Sequence, residues 1–323
     1  MADETTKLED IIQPELFTQY VLERTTEKSD LISSGAVQNN PQLDLLVRGG
    51  GTVLKMPKWN ALGGESQVFS DTDDIESDKV TSSKEQATLL LRAKGWSAHD
   101  LAGALAGDDP MNRIVEQVAT WWANDEKKNV ISILKGVFAC TGMKDHVLDI
   151  SKEATGAGIS ATSILDAKQL MGDNDSELAL IYMHSAVFTE LQKQQLISNV
   201  FPSDAKIAIP TYLGYRVVKD DSAPVSVEDG VFTTYLLANG AIQRGVGTPV
   251  DFVPTEIERN AKKSTTSLYN RSAKVLHPKG MSWIGSANIT KETPSNEELA
   301  VGTNWATASD LKNIGMVALV HKI

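Results

Sequence analysis

The sequence predicts an α+β fold, and three features carry that prediction. The first is an amino-terminal stretch without a core of its own. The second is a pair of strand-like runs separated by about thirty mostly polar residues. The third is one amphipathic helix of unusual length, followed by alternating helices and strands. At roughly 100–200 residues per domain, the chain has room for two domains and extended appendages.

The arm comes first. Pro14 suits the first turn of a helix, where its missing N–H costs nothing, and Leu16, Phe17, Tyr20, Val21 and Arg24 follow with one apolar face. Ser33-Ser34-Gly35 and Asn39-Asn40-Pro41 then punctuate the chain, which predicts an irregular arm up to about residue 50. Gly49-Gly50-Gly51 leads into Thr52–Lys58, a strand-like run with Val53, Leu54 and Met56. The second run is Ala87–Arg92. Between the two lie Gly63-Gly64 and the acidic group Asp71, Asp73, Asp74, Glu76 and Asp78. A compact domain seldom carries a loop this long without a use for it, so a projecting β-hairpin is expected.

Ser97 is placed to cap a short helix ending near Gly107. Asp109-Pro110 reads as N-cap and first residue of the long helix. Ile114, Val115, Val118, Trp122, Val130, Ile133, Leu134 and Val137 continue it at helical spacing to about Ala139. Helices are expected at Ser163–Met171 and Ala186–Gln195, and a buried strand at Leu178–Met183. Strands follow in Lys206–Val218, Thr233–Ala238, Ala241–Val246, Tyr269–Leu276, Met281–Ile284 and Ile314–His321, with Val250–Glu258 between them. Trp121 and Trp122 point about 100° apart on one helix; either both are core, or one faces a neighbouring molecule.

Composition narrows the function. With 31 Lys and Arg against 42 Asp and Glu, the formal charge of −11 disfavours a binder driven by polyphosphate attraction. Cys140 is the only cysteine, so no intramolecular disulfide forms, and its apolar approach predicts a buried, inert thiol. No signal-like start and no membrane-length apolar run occur, which predicts a soluble protein, intracellular when made and without a membrane partner.

No pattern of catalysis emerges. Gly49–Gly51 lacks the Gly-Lys-Ser/Thr ending of a phosphate loop and precedes a strand, so a hinge is the better reading. Gly245 and Gly247 complete no dinucleotide fingerprint. His99, His146, His184, His277 and His321 form no His-x-x-x-His pair. Ser185 follows His184 outside any Gly-x-Ser-x-Gly elbow, and the acidic group at 71–78 lacks the glycine and terminal glutamate of a calcium loop. No enzyme activity, metal or cofactor is expected.

Three blocks carry a resemblance to a known family. They are Ile12-Gln-Pro-Glu-Leu-Phe17 through Tyr20–Ser29 with Ser34-Gly35; Thr255–Arg259 with Tyr269-Asn-Arg271 and Val275-Leu-His-Pro-Lys-Gly-Met-Ser-Trp283; and Pro294–Leu299 with Asn304-Trp305 and Lys312-Asn-Ile314. In this order, over residues 8–322, they resemble the siphovirus-like major capsid proteins of tailed bacteriophages, whose fold is named after phage Hong Kong 97. The resemblance implies a non-catalytic subunit of an icosahedral head enclosing double-stranded DNA.

The implied plan is an N-terminal arm (1–50), an E-loop hairpin (51–92), a peripheral domain with a spine helix (93–150), an axial α/β domain (151–250), and return strands of the peripheral domain (251–323). Assembly contacts are expected at Phe17, Tyr20, Arg24, Gly49, Gly50, Gly51, Trp59, Gly63, Gly64, Arg92, Trp121 and Arg271. The implied partners are other copies in pentamers and hexamers, a separate scaffolding protein and a portal, with no sequence-specific contact to DNA. The location implied is the virion capsid, after assembly in the host cytoplasm. The chain departs from members that crosslink through an E-loop lysine: Ala61–Asp78 contains none, and Lys58, Lys79 and Lys84 lie nearer the base. Two alternatives stay open, an encapsulin-type nanocompartment shell and a soluble α/β enzyme built on residues 151–250.

Overall fold

A computed structural model describes residues 30–60, 62, 64–67, 77–100, 110–153, 156–194, 197–200, 209–226 and 229–323. The expected arm helix after Pro14, with Phe17, Tyr20 and Arg24, lies outside the described residues, as do Gly63 and the acidic positions 71–76.

The described chain opens with α1 (Asp30–Ser33) and β1 (Val37–Asn39), then α2 (Pro41–Arg48). This last helix corrects the irregular reading of Asn39-Asn40-Pro41. The Asn40 side chain accepts from the Gln42 N–H at 2.9 Å, Pro41 fills the first turn, and Leu43 and Val47 are buried on one face.

β2 (Val53–Trp59) and β3 (Ser82–His99) form the predicted hairpin, paired from Val53↔Thr88 to Trp59↔Ser82. The second strand is far longer than Ala87–Arg92. From Leu89 to His99 it pairs with β13 (Thr265–Pro278), so Ser97 lies opposite Ser267 in a ladder and caps no helix. Eleven paired residues against a strand rich in Thr, Ser and Tyr outweigh one local capping bond. Residues 101–109, where that helix was expected to end, are outside the described set. Along Ser82–Thr88 the only ladder partner of β3 among the described residues is β2, so this half is a two-stranded ribbon beyond the sheet.

The spine-like helix α3 runs from Pro110 to Ala139, 30 residues, or ~45 Å at 1.5 Å per residue. After it come β4 (Val147–Asp149), α4 (Ala161–Gln169), β5 (Leu178–Met183) and α5 (Ser185–Lys193). Strands β6 (Ser198–Val200), β7 (Ile209–Tyr212), β8 (Tyr215–Lys219), β9 (Val225–Ser226), β10 (Val231–Ala238), β11 (Ile242–Val246) and β12 (Thr255–Asn260) lead into β13. The chain closes with β14 (Met281–Trp283), α6 (Asn296–Leu299), β15 (Trp305–Thr307) and β16 (Met316–Lys322).

Two main sheets result. One orders β1-β11-β13-β3-β2, with β12 beside β13; the other orders β4-β16-β10-β5-β8-β7-β6, with β9 beside β10. Each sheet draws on both sides of residue 250: β11 joins the first, and the terminal strand β16 joins the second. In the second sheet, alternate residues feed two cores. Leu180, Tyr182, Tyr235, Leu237, Met316 and Ala318 meet Val130, Ile133, Leu134 and Val137 of α3. Ile181, Met183, Leu236, Val317 and Leu319 meet Ile164 and Ala167 of α4 and Val187 and Leu191 of α5. Burial of both faces explains why Leu178–Met183 reads as a continuous apolar run. Cys140 is buried, its Sγ 3.2 Å from the Trp305 carbonyl oxygen.

Candidate assembly surfaces

Arg92 makes its hydrogen bonds within the chain. Its Nη2 donates to the Pro294 carbonyl at 2.8 Å and to Asn129 and Asn296 Oδ1 at 3.3 Å, tying β3 to α3 and the start of α6. Burial pushes its guanidinium down from the ordinary value, against the pull of Asp125 and Glu298. Arg271 bridges β13 to β12, donating to the Val253 carbonyl at 3.1 Å and to Glu256 at 3.0 Å.

A charged group absent from the sequence expectations joins α3 to the first sheet. Glu126 receives Arg244 on both oxygens, at 2.5 and 3.2 Å. Lys274 sits 3.5 Å from Asp125, 3.9 Å from Glu126 and 5.6 Å from the Trp122 ring centroid. The Glu126 and Lys274 side chains are 2% and 3% exposed; removal from water lowers the lysine's pKa against the pull of both carboxylates. The only sequence signal was the polar interruption of a core-facing helical row.

Near the outer end of the hairpin ladder, Glu85 accepts from Lys58 at 3.0 Å and lies 3.0 Å from His277 Nε2, while Lys58 also donates to Ser309. Burial alone would raise the Glu85 carboxyl, but the bonds from His277 and Lys58 outweigh it and hold it at about 2. The clamp joins both hairpin strands to β13 and the segment before β16.

Beyond this clamp two large apolar side chains are exposed. Trp59 is 75% exposed and Leu62 79%. Gly50 and Gly51 adopt φ of +79° and +101°, and Gly64 +100°, values that only glycine adopts without strain. At the other end of β3, Trp96 meets Trp121 edge-on at 5.4 Å, and Trp121 meets Trp122 at 5.0 Å. Trp122 is buried and Trp121 half-buried, so the pair divides into one core residue and one at the surface.

Ser185 and His184 make no catalytic pair. Ser185 Oγ donates to Asp221, while His184 Nδ1 accepts from the Ala186 N–H as a helix cap. Among the described residues, no group of three or more His, Cys, Asp or Glu side chains is arranged to hold a metal ion.

Residues 109–317 match the family described as Gp13-like, major capsid protein 13-like. The chain belongs to this major capsid protein family. It is 44% identical over 323 residues to the major capsid protein of Bacillus phage SPP1, covering 98% of each chain. This capsid subunit also resembles solved structures from a cyanophage Pam1 capsid asymmetric unit (TM-score 0.55, 11% identity, 88% of each chain). A second, from Microbacterium phage Oxtober96, has TM-score 0.55 and 12% identity over 98% of this chain and 95% of that one. These two likenesses carry the fold: the hairpin, long helix and paired sheets belong to the phage capsid architecture. As a family of virion structural proteins, it implies a building role in place of catalysis.

Proposed function

We propose that the chain closes an icosahedral head by packing as pentamers and hexamers around double-stranded DNA. The arm (1–50) and the hairpin (51–92) contact neighbouring copies. Residues 93–150 and 251–323 form the peripheral domain, with β16 tying it to the axial domain (151–250). The full-length identity to a phage major capsid protein carries this reading. It also favours a genome container over a nanocompartment shell.

Many weak contacts suffice, because each formed contact raises the effective concentration of the rest. The backbone geometry at Gly50 and Gly51 lets the hairpin leave the body at an angle that other residues strain to reach, and Gly64 turns the loop beyond β2 in the same way. A net charge of −11 keeps the wall from holding DNA tightly. A separate scaffolding protein and a portal complete the assembly, in the host cytoplasm.

Size-exclusion chromatography with electron microscopy tests this. Co-produced with its phage's scaffolding protein, the chain is expected to elute as megadalton particles with icosahedral outlines. Alone, it is expected to give pentamers, hexamers or aberrant shells. A chain that stays monomeric under both conditions would overturn the reading.

A further inference from the structure

The buried charges between α3 and the first sheet do not sum to zero. Arg244, Lys274 and Glu126 are all buried, so two cations share one carboxylate. Glu126 is committed to Arg244 on both oxygens. Lys274 is left 3.5 Å from Asp125 and 3.9 Å from Glu126, beyond the roughly 2.7–2.9 Å of a charge-assisted hydrogen bond. Further out, Asp125 and Arg92 add one charge of each sign. Glu298 also acts on Arg92, but it is held in the α6 cap, accepting the Thr290 and Ser295 N–H groups at 2.8 Å. Arg271 is paired with Glu256 at 3.0 Å. One positive charge remains in excess, and an unpaired charge out of water is costly.

The same place contains a cavity and an unused donor. The cavity, of about 50 Å³, is lined by Trp122, Glu126, Arg244, Asn270, Arg271 and Lys274. A water molecule needs only about 10–15 Å³ of such space, so an ion little larger than water fits. Trp122 is buried, and its indole N–H has no hydrogen-bond partner among the described residues. An indole N–H can only donate, so the group that completes it is an acceptor.

We infer that this cavity is a site for one small monovalent anion of the halide class, chloride in ordinary salt, held by the Trp122 indole N–H beside the Lys274 ammonium. A single negative charge matches the excess. Glu126 in the cavity wall repels a multiply charged oxyanion, and the small volume excludes bulky organic anions. Such a site does not depend on the shell reading above. It makes the union of α3 with β11 and β13 sensitive to chloride, because an ion bound only by the folded chain stabilises it by mass action.

Chlorine NMR on the purified full chain tests the site. The chloride line is expected to broaden in proportion to protein concentration and to narrow again when bromide competes. Trp122→Phe keeps a ring and removes the donor, and is expected to weaken chloride by about tenfold or more, as for losing a hydrogen bond to a charged group. Trp121→Phe, next to it but outside the cavity lining, is expected to keep the broadening. Lys274→Met removes the excess charge, leaves Arg244 paired, and is expected to abolish the broadening; it decides the matter if Trp122→Phe does not fold. Melting temperatures are expected to rise more with chloride in the unmodified and Trp121→Phe chains than in the other two, since general salt effects are common to all four. No protein-dependent broadening in the unmodified chain would overturn the site. So would broadening and a chloride response that persist unchanged in Trp122→Phe or Lys274→Met.

Discussion

Glu126 shows how one residue can set the register between two large elements. It sits on the core-facing side of α3, where apolar residues recur, and it is buried with Arg244 and Lys274. A buried ion pair adds little over well-packed apolar side chains, but removing one partner strands the other charge. Glu126→Gln is therefore expected to lower unfolding stability by about 3–5 kcal/mol, read as a shift in the denaturation midpoint of the purified chain. A loss within experimental error would mean that water or a neighbouring copy compensates Arg244. Arg92 teaches the complementary lesson. Named as an assembly residue, it also serves four intrachain acceptors: the Leu91 and Pro294 carbonyls, Asn129 and Asn296. Sequence shows that an arginine is present, but apart from the adjacent Leu91 its partners come from segments 37 and more than 200 residues away.

Among elements, the long helix was the most legible. Asp109-Pro110 marks its start, the apolar spacing carries it, and the structure runs it from Pro110 to Ala139. Its end is held by a close approach that only glycine permits. A Cβ on Gly136 would fall 2.0 Å from the Leu299 carbonyl oxygen and 2.6 Å from Trp305 Nε1, two atoms already joined by a 2.8 Å hydrogen bond. Alanine favours helix over glycine by about 1 kcal/mol, yet the clash decides the sign. Gly136→Ala is expected to destabilise by about 1–3 kcal/mol through overpacking; urea unfolding measures it, and a gain in stability would refute the contact. The second hairpin strand was half legible. Leu89, Leu90 and Leu91 announce it, but its length comes from β13, which lies some 170 residues later. The missed helix α2 had a signal: Asn40-Pro41 has the same capping logic as Asp109-Pro110.

At the scale of the whole molecule, acid sensitivity is the testable consequence. Burial lowers the pKa of His146 and His321 below the ordinary 6.5, so both favour the neutral form when folded. Unfolding lets them take up protons, so their stabilisation is complete above pH 6.5 and declines as pH falls below it. Glu85 adds a second limb. Its folded value of about 2 lies below the unfolded 4.5, so its contribution is full above pH 4.5 and is lost as pH falls toward 2. Melting temperature followed from pH 8 to pH 3 is expected to fall in two stages. Glu85→Gln is expected to weaken the second stage while leaving the first, and an unchanged second stage would remove the hairpin clamp as its cause.

The sequence by itself determined the elements whose cause is local or periodic: the long helix, the doubly buried strand Leu178–Met183, the hairpin, and the lack of a catalytic pattern. Its three ordered blocks also determined the family, because they persist across the whole chain. Tertiary structure alone decided which sheet each strand joins, how far β3 runs, and which charges are buried together. Those outcomes depend on ladders and ion pairs between segments tens to hundreds of residues apart, and no window of sequence contains both partners. The same reason divided Trp121 from Trp122: helical geometry separates their directions, but only the packed sheet beneath α3 determines which one is buried.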